Sequence, residues 1–328
     1  MRRRAVLMFL PAAAWAQPDW RRMAVPYVTP QAWLQSLHAQ WYVPRAREFA
    51  DAARSLVEAQ GHACASGSLK EARAAWRRAM TAWERLSAVS IGPLVERRSA
   101  RRIDFAPTRP ASIERAIAAG ASDLELVGAP AKGLPALEWL LWKHEFAAGS
   151  PACTYARRVA GEIEDEASAL VEAFTARPKS DDETATAAAY AEVLNQFVAG
   201  VELLRWGQIE RPLREGRRQF PRATSGSSAA AWAARWDALR RLAVHEAGAP
   251  EGPVSLEMYL RGRGLNALAD GLGVAVRRSD AALRGAAPSR VGTLQTATRE
   301  LALLKRRLEV DIAPALEVPI GFSDADGD

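Results

Sequence analysis

One carboxylate in an otherwise apolar segment is the residue of this 328-residue chain with the clearest chemical constraint. It is Glu138, within the run Gly133-Leu134-Pro135-Ala136-Leu137-Glu138-Trp139-Leu140-Leu141-Trp142. A glycine followed by Pro135 is typical of a helix start, because the missing N–H of proline leaves no hydrogen bond unmade there. The predicted helix is apolar on every side except at Glu138, so we expect it to be buried.

Burial of Glu138 restricts the roles that its carboxylate can play. An isolated buried charge is costly, so the group is expected to be paired with an arginine, bound to a metal ion, or protonated. Two interpretations stay open: a structural ion pair or capping contact, and a site carboxylate that binds a ligand or metal. Arg101 and Arg102, which precede Asp104 in the sequence, are the candidate partners, and we include Asp104 among the candidate binding residues.

The histidines do not form the pattern of a zinc peptidase. That pattern is HExxH, in which two histidines four residues apart share one helix face around the metal. His144-Glu145 begins it, but residue 148 is alanine, and His245-Glu246 begins it again, but residue 249 is alanine. The chain has four histidines in total, and they are scattered. We therefore assign no catalytic residue.

Two further groups of charged residues have candidate roles. The C-terminal acids Asp326 and Asp328 could ligate a cation or meet arginines near the site, although the chain ends too early for a complete EF-hand loop. The alternative is a solvated acidic tail. An arginine row could hold an anion bidentately, but a solvated helix face is the more common explanation; its members are Arg211, Arg214, Arg218 and Arg222.

Residues 1–16 have the features of a cleavable signal peptide. Arg2, Arg3 and Arg4 precede an apolar run that ends at the small-residue cleavage site Ala14-Trp15-Ala16. Of 44 basic residues three lie in this leader, so 41 remain against 38 acidic ones, and a nucleic-acid partner is not expected. No cysteine lies at the cleavage site, and no later stretch is apolar enough to span a membrane. We predict a soluble periplasmic protein.

Cys64 and Cys153 are the two cysteines of the chain, 89 positions apart. An oxidising compartment favours their pairing, and without a CxxC spacing a redox role has no support. We predict a structural disulfide.

The hydrophobic periodicity is helical almost throughout. Apolar residues recur at steps of three and four between residues 69 and 83, 156 and 174, 190 and 201, and 294 and 312. No segment shows the sustained alternation of a half-buried strand. The fold class is therefore all-α, as two helical bundles of the four-helix type. The polar stretch from Arg177 to Asp182 suggests a division into residues 17–178 and 179–328.

The chain resembles the imelysin-like proteins of the bacterial periplasm. Their helix motif GxHxxE is matched at Gly133 and Glu138, whereas Pro135 stands in place of the histidine. Other similar segments are Ala74-Ala75-Trp76 through Trp83-Glu84 with Gly92-Pro93, Arg102-Ile103-Asp104-Phe105, Ser225-Gly226-Ser227-Ser228, and the terminal Gly321-Phe322-Ser323-Asp324-Ala325-Asp326-Gly327-Asp328.

The resemblance implies two helical bundles with a site at their interface and a link to iron or other metal uptake. The cofactor is left open, with a metal cation, iron or another divalent ion, as the candidate. We predict a non-hydrolytic accessory protein that binds a small ligand or metal and works with uptake components of the periplasm or outer membrane. The alternatives are a degenerate metallopeptidase with Glu138 as general base, and a purely structural partner of an uptake complex.

Overall fold

Helices make up most of the described chain. The computed structural model describes residues 24–120, 123–176, 182–216, 220–245 and 252–321, and within them there is no β-strand. The all-α prediction is therefore confirmed. The predicted signal peptide (residues 1–16) and the tail acids Asp326 and Asp328 lie outside the described residues.

The helices are numbered here in chain order over the described residues. They are α1 (Pro30–Leu37), α2 (Val43–Ser66), α3 (Lys70–Leu86), α4 (Pro93–Glu96), α5 (Ser99–Ile103), α6 (Pro110–Ala118), α7 (Gly133–Trp142), α8 (Pro151–Ala176), α9 (Glu183–Glu202), α10 (Arg211–Arg214), α11 (Ser228–Ala243), α12 (Leu256–Gly262), α13 (Asn266–Arg284), α14 (Val291–Arg306) and α15 (Ala313–Ala315). Wider π-helical turns join α1 to α2, α9 to α10 and α14 to α15; they span His38–Tyr42, Leu203–Glu210 and Arg307–Ile312.

Amphipathic periodicity explains the long helices. Helix α3 buries one face, and the residues on it follow the three-and-four spacing seen in the sequence: Ala72, Ala75, Trp76, Ala79, Met80, Trp83 and Leu86. Helix α8 does the same with Ala156, Val159, Ala160, Ile163, Ala167, Leu170 and Phe174. Burial of these faces supplies the main driving force for helix packing.

Helix α2 lies against both α3 and α8, and α7 packs across α3 and α8. After residue 182, α13 packs on α14, and α14 packs on the π-helical turn Leu203–Glu210. Helix α11 contacts α3, so the segments before and after residues 177–181 share one contiguous apolar core. The division at 178/179 falls within residues that the structure does not describe and stays a prediction.

The two cysteines are bonded, as predicted. Cys64 lies near the end of α2 and Cys153 near the start of α8, with their Cα atoms 5.5 Å apart. The bond therefore ties together two long helices that also pack along their length. Over the described residues, no helix combines the length and the apolar character needed to cross a membrane.

We expect the double variant Cys64→Ala/Cys153→Ala to unfold about 2–5 kcal/mol more easily than the wild type. The bond closes a loop of 89 positions, and its removal returns conformational entropy to the unfolded chain. Urea unfolding of the protein purified from periplasm, with and without reductant, measures the effect. Reductant should destabilise the wild type and leave the double variant unchanged. Two free thiols in the denatured, unreduced wild type would contradict this assignment.

Candidate functional site

A cleft of about 910 Å³ lies beside α7, and three chain segments line it. They are the loop that leads from α5 into α6, one side of α7, and the described residues around and after α10, within 207–215 and 220–224. Glu138 and Asp104 both line this cleft. The volume is within the range of small-molecule binding sites in proteins.

Glu138 lies on the floor of the cleft. It is 6% exposed, and its Oε1 accepts a 2.8 Å hydrogen bond from the backbone N–H of Ser225. The turn that carries Ser225 precedes α11, and Arg77 of α3 donates a 3.1 Å hydrogen bond to the Ser225 carbonyl. No other hydrogen bond to Glu138 is present within the described residues, so Oε2 is available to a ligand.

Gly133 fixes where α7 begins. Its backbone has φ +72°, a conformation that favours glycine. A β-carbon added at this position would lie 2.4 Å from the Ile103 carbonyl oxygen and 2.8 Å from that of Arg102. The start of α7 therefore packs directly on the end of α5, immediately before Asp104. This contact places Glu138 and Asp104 in the same cleft.

A buried cluster of charged groups lies beneath the cleft. Glu84 of α3 is fully buried; its Oε2 accepts hydrogen bonds from Arg235 Nε (2.8 Å) and from Gln208 Nε2 (3.1 Å). Arg222 Nη2 lies 2.7 Å from Asp104 Oδ2 and 3.4 Å from Glu84 Oε1. Trp83 Nε1 donates a 3.2 Å hydrogen bond to the same Asp104 oxygen. The cluster joins α3, the α5–α6 loop and the chain after residue 182.

Arg222 occupies a strained backbone position. Its φ is +66°, a left-handed conformation that costs roughly 1–2 kcal/mol for a residue with a side chain. The guanidinium is 3% exposed, and it is held between Asp104 and Glu84. The turn is closed by hydrogen bonds from Ser227 N–H to the Arg222 carbonyl (2.9 Å) and from the Ser228 hydroxyl to the Pro221 carbonyl (2.7 Å). These contacts offset the strain and present the Ser225 amide to Glu138.

The pKa values of the two carboxyl groups of the cluster are shifted in opposite directions. Burial alone raises the pKa of Glu84, but Arg235 and Arg222 outweigh it, so the pKa lies below its ordinary value of 4.5. Burial also raises the pKa of Asp104, and Arg222 offsets this only in part, so that pKa stays above its ordinary value. Burial would lower the pKa of Arg222, but Asp104 and Glu84 raise it further above the usual range. The guanidinium is therefore permanently charged.

The arginines proposed as partners of Glu138 lie elsewhere. Arg102 is half exposed, with Nη1 3.8 Å from Glu166, and Arg101 lies over the ring of Phe105 with 5.7 Å to the ring centroid. Arg222, in contrast, is close enough for the negative charge of Glu138 to contribute to its raised pKa. A role for Arg101 and Arg102 in the site stays a prediction.

The arginines of the predicted row do not share one helix face in the structure. Helix α10 ends at Arg214, which pairs with Glu210, whereas Arg211 lines the cleft and Arg222 belongs to the buried cluster. Arg218 lies outside the described residues.

Sequence reasoning selected neither Glu84 nor Arg235, and it considered Arg222 only as a member of the arginine row; it assigned none of the three to a buried cluster. A signal for two of them exists in the sequence, because Glu84 falls within the apolar stripe of α3 and Arg235 lies between Trp232 and Trp236 on α11. A charged residue inside an apolar stripe must find a partner, as Glu138 must.

The described residues do not fit a resident metal ion. They contain no group of three or more His, Cys, Asp or Glu side chains placed to hold one. Glu84 and Asp104 are already neutralised by arginines, and Pro135, where the related motif has histidine, offers no ligand atom. Glu138 is the remaining carboxylate on the floor of the cleft.

Replacing Gly133 by alanine should destabilise the protein and displace Glu138. The matched control is Gly67→Ala, which has a similar φ of +78° but no atom within 4 Å of the added carbon. We expect the control to cost about 1–2 kcal/mol from backbone strain. Gly133→Ala should cost about 1–3 kcal/mol more, because its added carbon collides with the Ile103 carbonyl. Denaturant unfolding measures both, and equal losses would show that the contact with α5 is unimportant.

Glu84→Gln should lower the free energy of unfolding by about 3–5 kcal/mol at pH 7, because it leaves buried arginine charge uncompensated. The folded-state pKa of Glu84 is lowered, so its contribution is fully present above about pH 4.5 and is lost as the pH falls through the lower folded value. The gap between wild type and variant should therefore shrink in acid. The exposed cleft residue Glu215 gives the control: Glu215→Gln should change stability by less than about 0.5 kcal/mol. A gap that is constant from pH 7 to pH 3 would contradict this account.

The architecture is shared with solved structures. An imelysin-like protein from Psychrobacter arcticum 273-4 superposes with a TM-score of 0.76 and 18% sequence identity, over 92% of this chain and 100% of that one. A protein described as an iron-regulated protein A precursor, from Parabacteroides distasonis ATCC 8503, gives a TM-score of 0.67 and 16% identity, over 91% and 96% of the two chains. At these identities the likeness shows the fold alone.

No curated protein matches the sequence. The sequence profile of imelysin, peptidase M75, matches residues 39–307, which include α7 with Gly133 and Glu138 as well as the buried cluster around Glu84. With most of its length matched in this way, the chain belongs to the imelysin family.

Proposed function

We propose that this chain is a periplasmic accessory protein that binds a small ligand, linked to the uptake of iron or another metal, and that it performs no hydrolysis. The ligand site is the cleft beside α7. The partners would be uptake components of the periplasm or outer membrane, and residues 1–16 would direct the export.

One observation carries the proposal: Glu138 is a buried carboxylate on the floor of an open cleft. One of its oxygens accepts a hydrogen bond from the Ser225 amide, and the other accepts none from the described residues. A purely structural carboxylate is usually satisfied on both oxygens, as Glu84 is by Arg235, Gln208 and Arg222. The contrast between the two residues supports a binding role for Glu138.

The link to iron comes from similarity. One of the solved structures to which the chain is similar is described as an iron-regulated protein A precursor. In this chain the metal would arrive as cargo, because the described residues offer no three-ligand set to hold a resident ion. Hydrolysis of the metallopeptidase type needs a metal that activates water, and neither HE dipeptide supplies its second histidine.

The test of the site is Glu138→Gln, which preserves shape and removes charge. We expect the variant to bind ferrous sulfate or ferric citrate at least tenfold more weakly than the wild type, with an unchanged unfolding midpoint. Calorimetric titration of protein purified from periplasm gives the affinity, and elemental analysis of the same preparation reports any metal that it carries. Glu257→Gln, which alters another buried carboxylate that does not line the cleft, should leave the affinity unchanged.

Glu138→Leu separates the structural explanation from the functional one. Leucine removes the acceptor of the Ser225 N–H, which costs about 1–3 kcal/mol, so we expect a folded protein of moderately lower stability with the same loss of binding. A large loss of stability in both Glu138 variants with unchanged binding would show that Glu138 is a structural residue. Chelator-sensitive cleavage of casein, lost in Glu138→Gln, would instead favour the degenerate peptidase.

A further inference from the structure

The geometry points to a small aromatic carboxylate as the ligand of the cleft, with its carboxylate at the rim beside Lys143 and Arg211 and a hydroxyl group on Glu138. This inference rests on the proposed function and names the class of ligand. A metal complex of such an anion would occupy the same cleft.

The walls of the cleft suit a flat apolar body. Five prolines and two aromatic residues line it; they are Pro107, Pro110, Pro135, Pro212, Pro221, Trp139 and Phe220. Proline has no backbone N–H to donate, so these walls offer ring faces rather than hydrogen bonds. Trp139 is partly exposed and Phe220 is buried, so a ligand ring can pack on an indole face while the phenyl ring supports the wall.

The rim supplies the charge for a carboxylate. Lys143, just past the end of α7, and Arg211, at the start of α10, are both exposed and line the cleft. Neither makes an ion pair within the described part of the chain, in contrast to Arg222, whose guanidinium is committed to Asp104 and Glu84. The exposed Glu215 also lies on the rim, which leaves a net positive charge there. Arginine and lysine that lack protein partners are suited to bind a carboxylate.

The distance between Glu138 on the floor and Lys143 on the rim matches the length of such a ligand. Glu138 precedes Lys143 by five residues, so the two are separated by about 7–8 Å along the axis of α7 at roughly 1.5 Å per residue. A benzoate with ring hydroxyls spans a comparable length, with its carboxylate at one end and hydroxyl donors at the other. The available Glu138 oxygen accepts from such a hydroxyl, which a bare metal ion or a simple aliphatic anion cannot offer together with a ring.

The experiment uses 3,4-dihydroxybenzoate as the probe, because its hydroxyls lie at the end of the ring away from the carboxylate, with catechol (no carboxylate) and citrate (no ring) as comparison ligands. We expect the wild-type protein to bind the probe at least tenfold more tightly than either comparison ligand. The double variant Lys143→Glu/Arg211→Glu should bind the probe at least tenfold more weakly, and its affinity should lose most of its dependence on salt concentration. Lys70→Glu/Arg306→Glu is the control, because it makes the same charge change at exposed sites outside the cleft and should leave affinity unchanged.

Other results would overturn the inference in recognisable ways. Equal weakening by the rim and control variants would show that only net charge matters. A second result would be that the protein does not bind the probe, while it binds ferrous sulfate in a way that depends on Glu138 and is unaffected by the rim variant. The inference of an aromatic anion would then be wrong, and the proposed function would stand. Probe binding that depends on the rim while Glu138→Gln has no effect would place the ligand away from the floor. That result would contradict both this inference and the role given to Glu138.

Discussion

The buried carboxylate of Glu84 has to be neutralised inside the protein, and the residues that neutralise it hold the two parts of the chain together. The residue lies on the buried face of α3, where an unpaired carboxylate would be prohibitively costly. Its partners Arg222, Arg235 and Gln208 all come from the chain after residue 182. A buried ion pair adds little net stability, but it strongly disfavours arrangements in which either partner is left alone. The cluster therefore fixes how α11 and the turn before it lie against α3.

The candidate site follows from that constraint. Arg222 reaches Asp104 as well as Glu84, and the strained turn that it anchors directs the Ser225 amide at Glu138. On the other side, Gly133 lets α7 start against the Ile103 carbonyl, which brings the helix beside the loop that carries Asp104. The cleft is thus the space left between two rigid contacts rather than a feature of any one helix. A binding site framed in this way is preorganised, because its walls are held by interactions that do not involve the ligand.

Within the imelysin fold this chain has an altered site chemistry. The glycine and glutamate of the GxHxxE motif are present with clear structural roles, one in close packing and one on the cleft floor, whereas Pro135 turns the histidine position into part of an apolar wall. Two of the carboxylates near the cleft are committed to arginines. These differences are the basis on which we propose an organic ligand for the cleft, since a shared fold does not by itself define the chemistry of its site.

The helices, the disulfide pair and the burial of Glu138 could all be predicted from the sequence. Each depends on local information: the spacing of apolar residues on α3 and α8, the presence of two cysteines, and one charge in an apolar run. The partners of the buried charges were decided by the tertiary structure alone. The chain contains 39 arginines, and hydrophobic periodicity cannot tell which of them meets a given carboxylate. Arg222 reaches Asp104 and Glu84 across 118 and 138 positions of sequence because packing brings their backbones together, and only that packing creates the cleft beside α7.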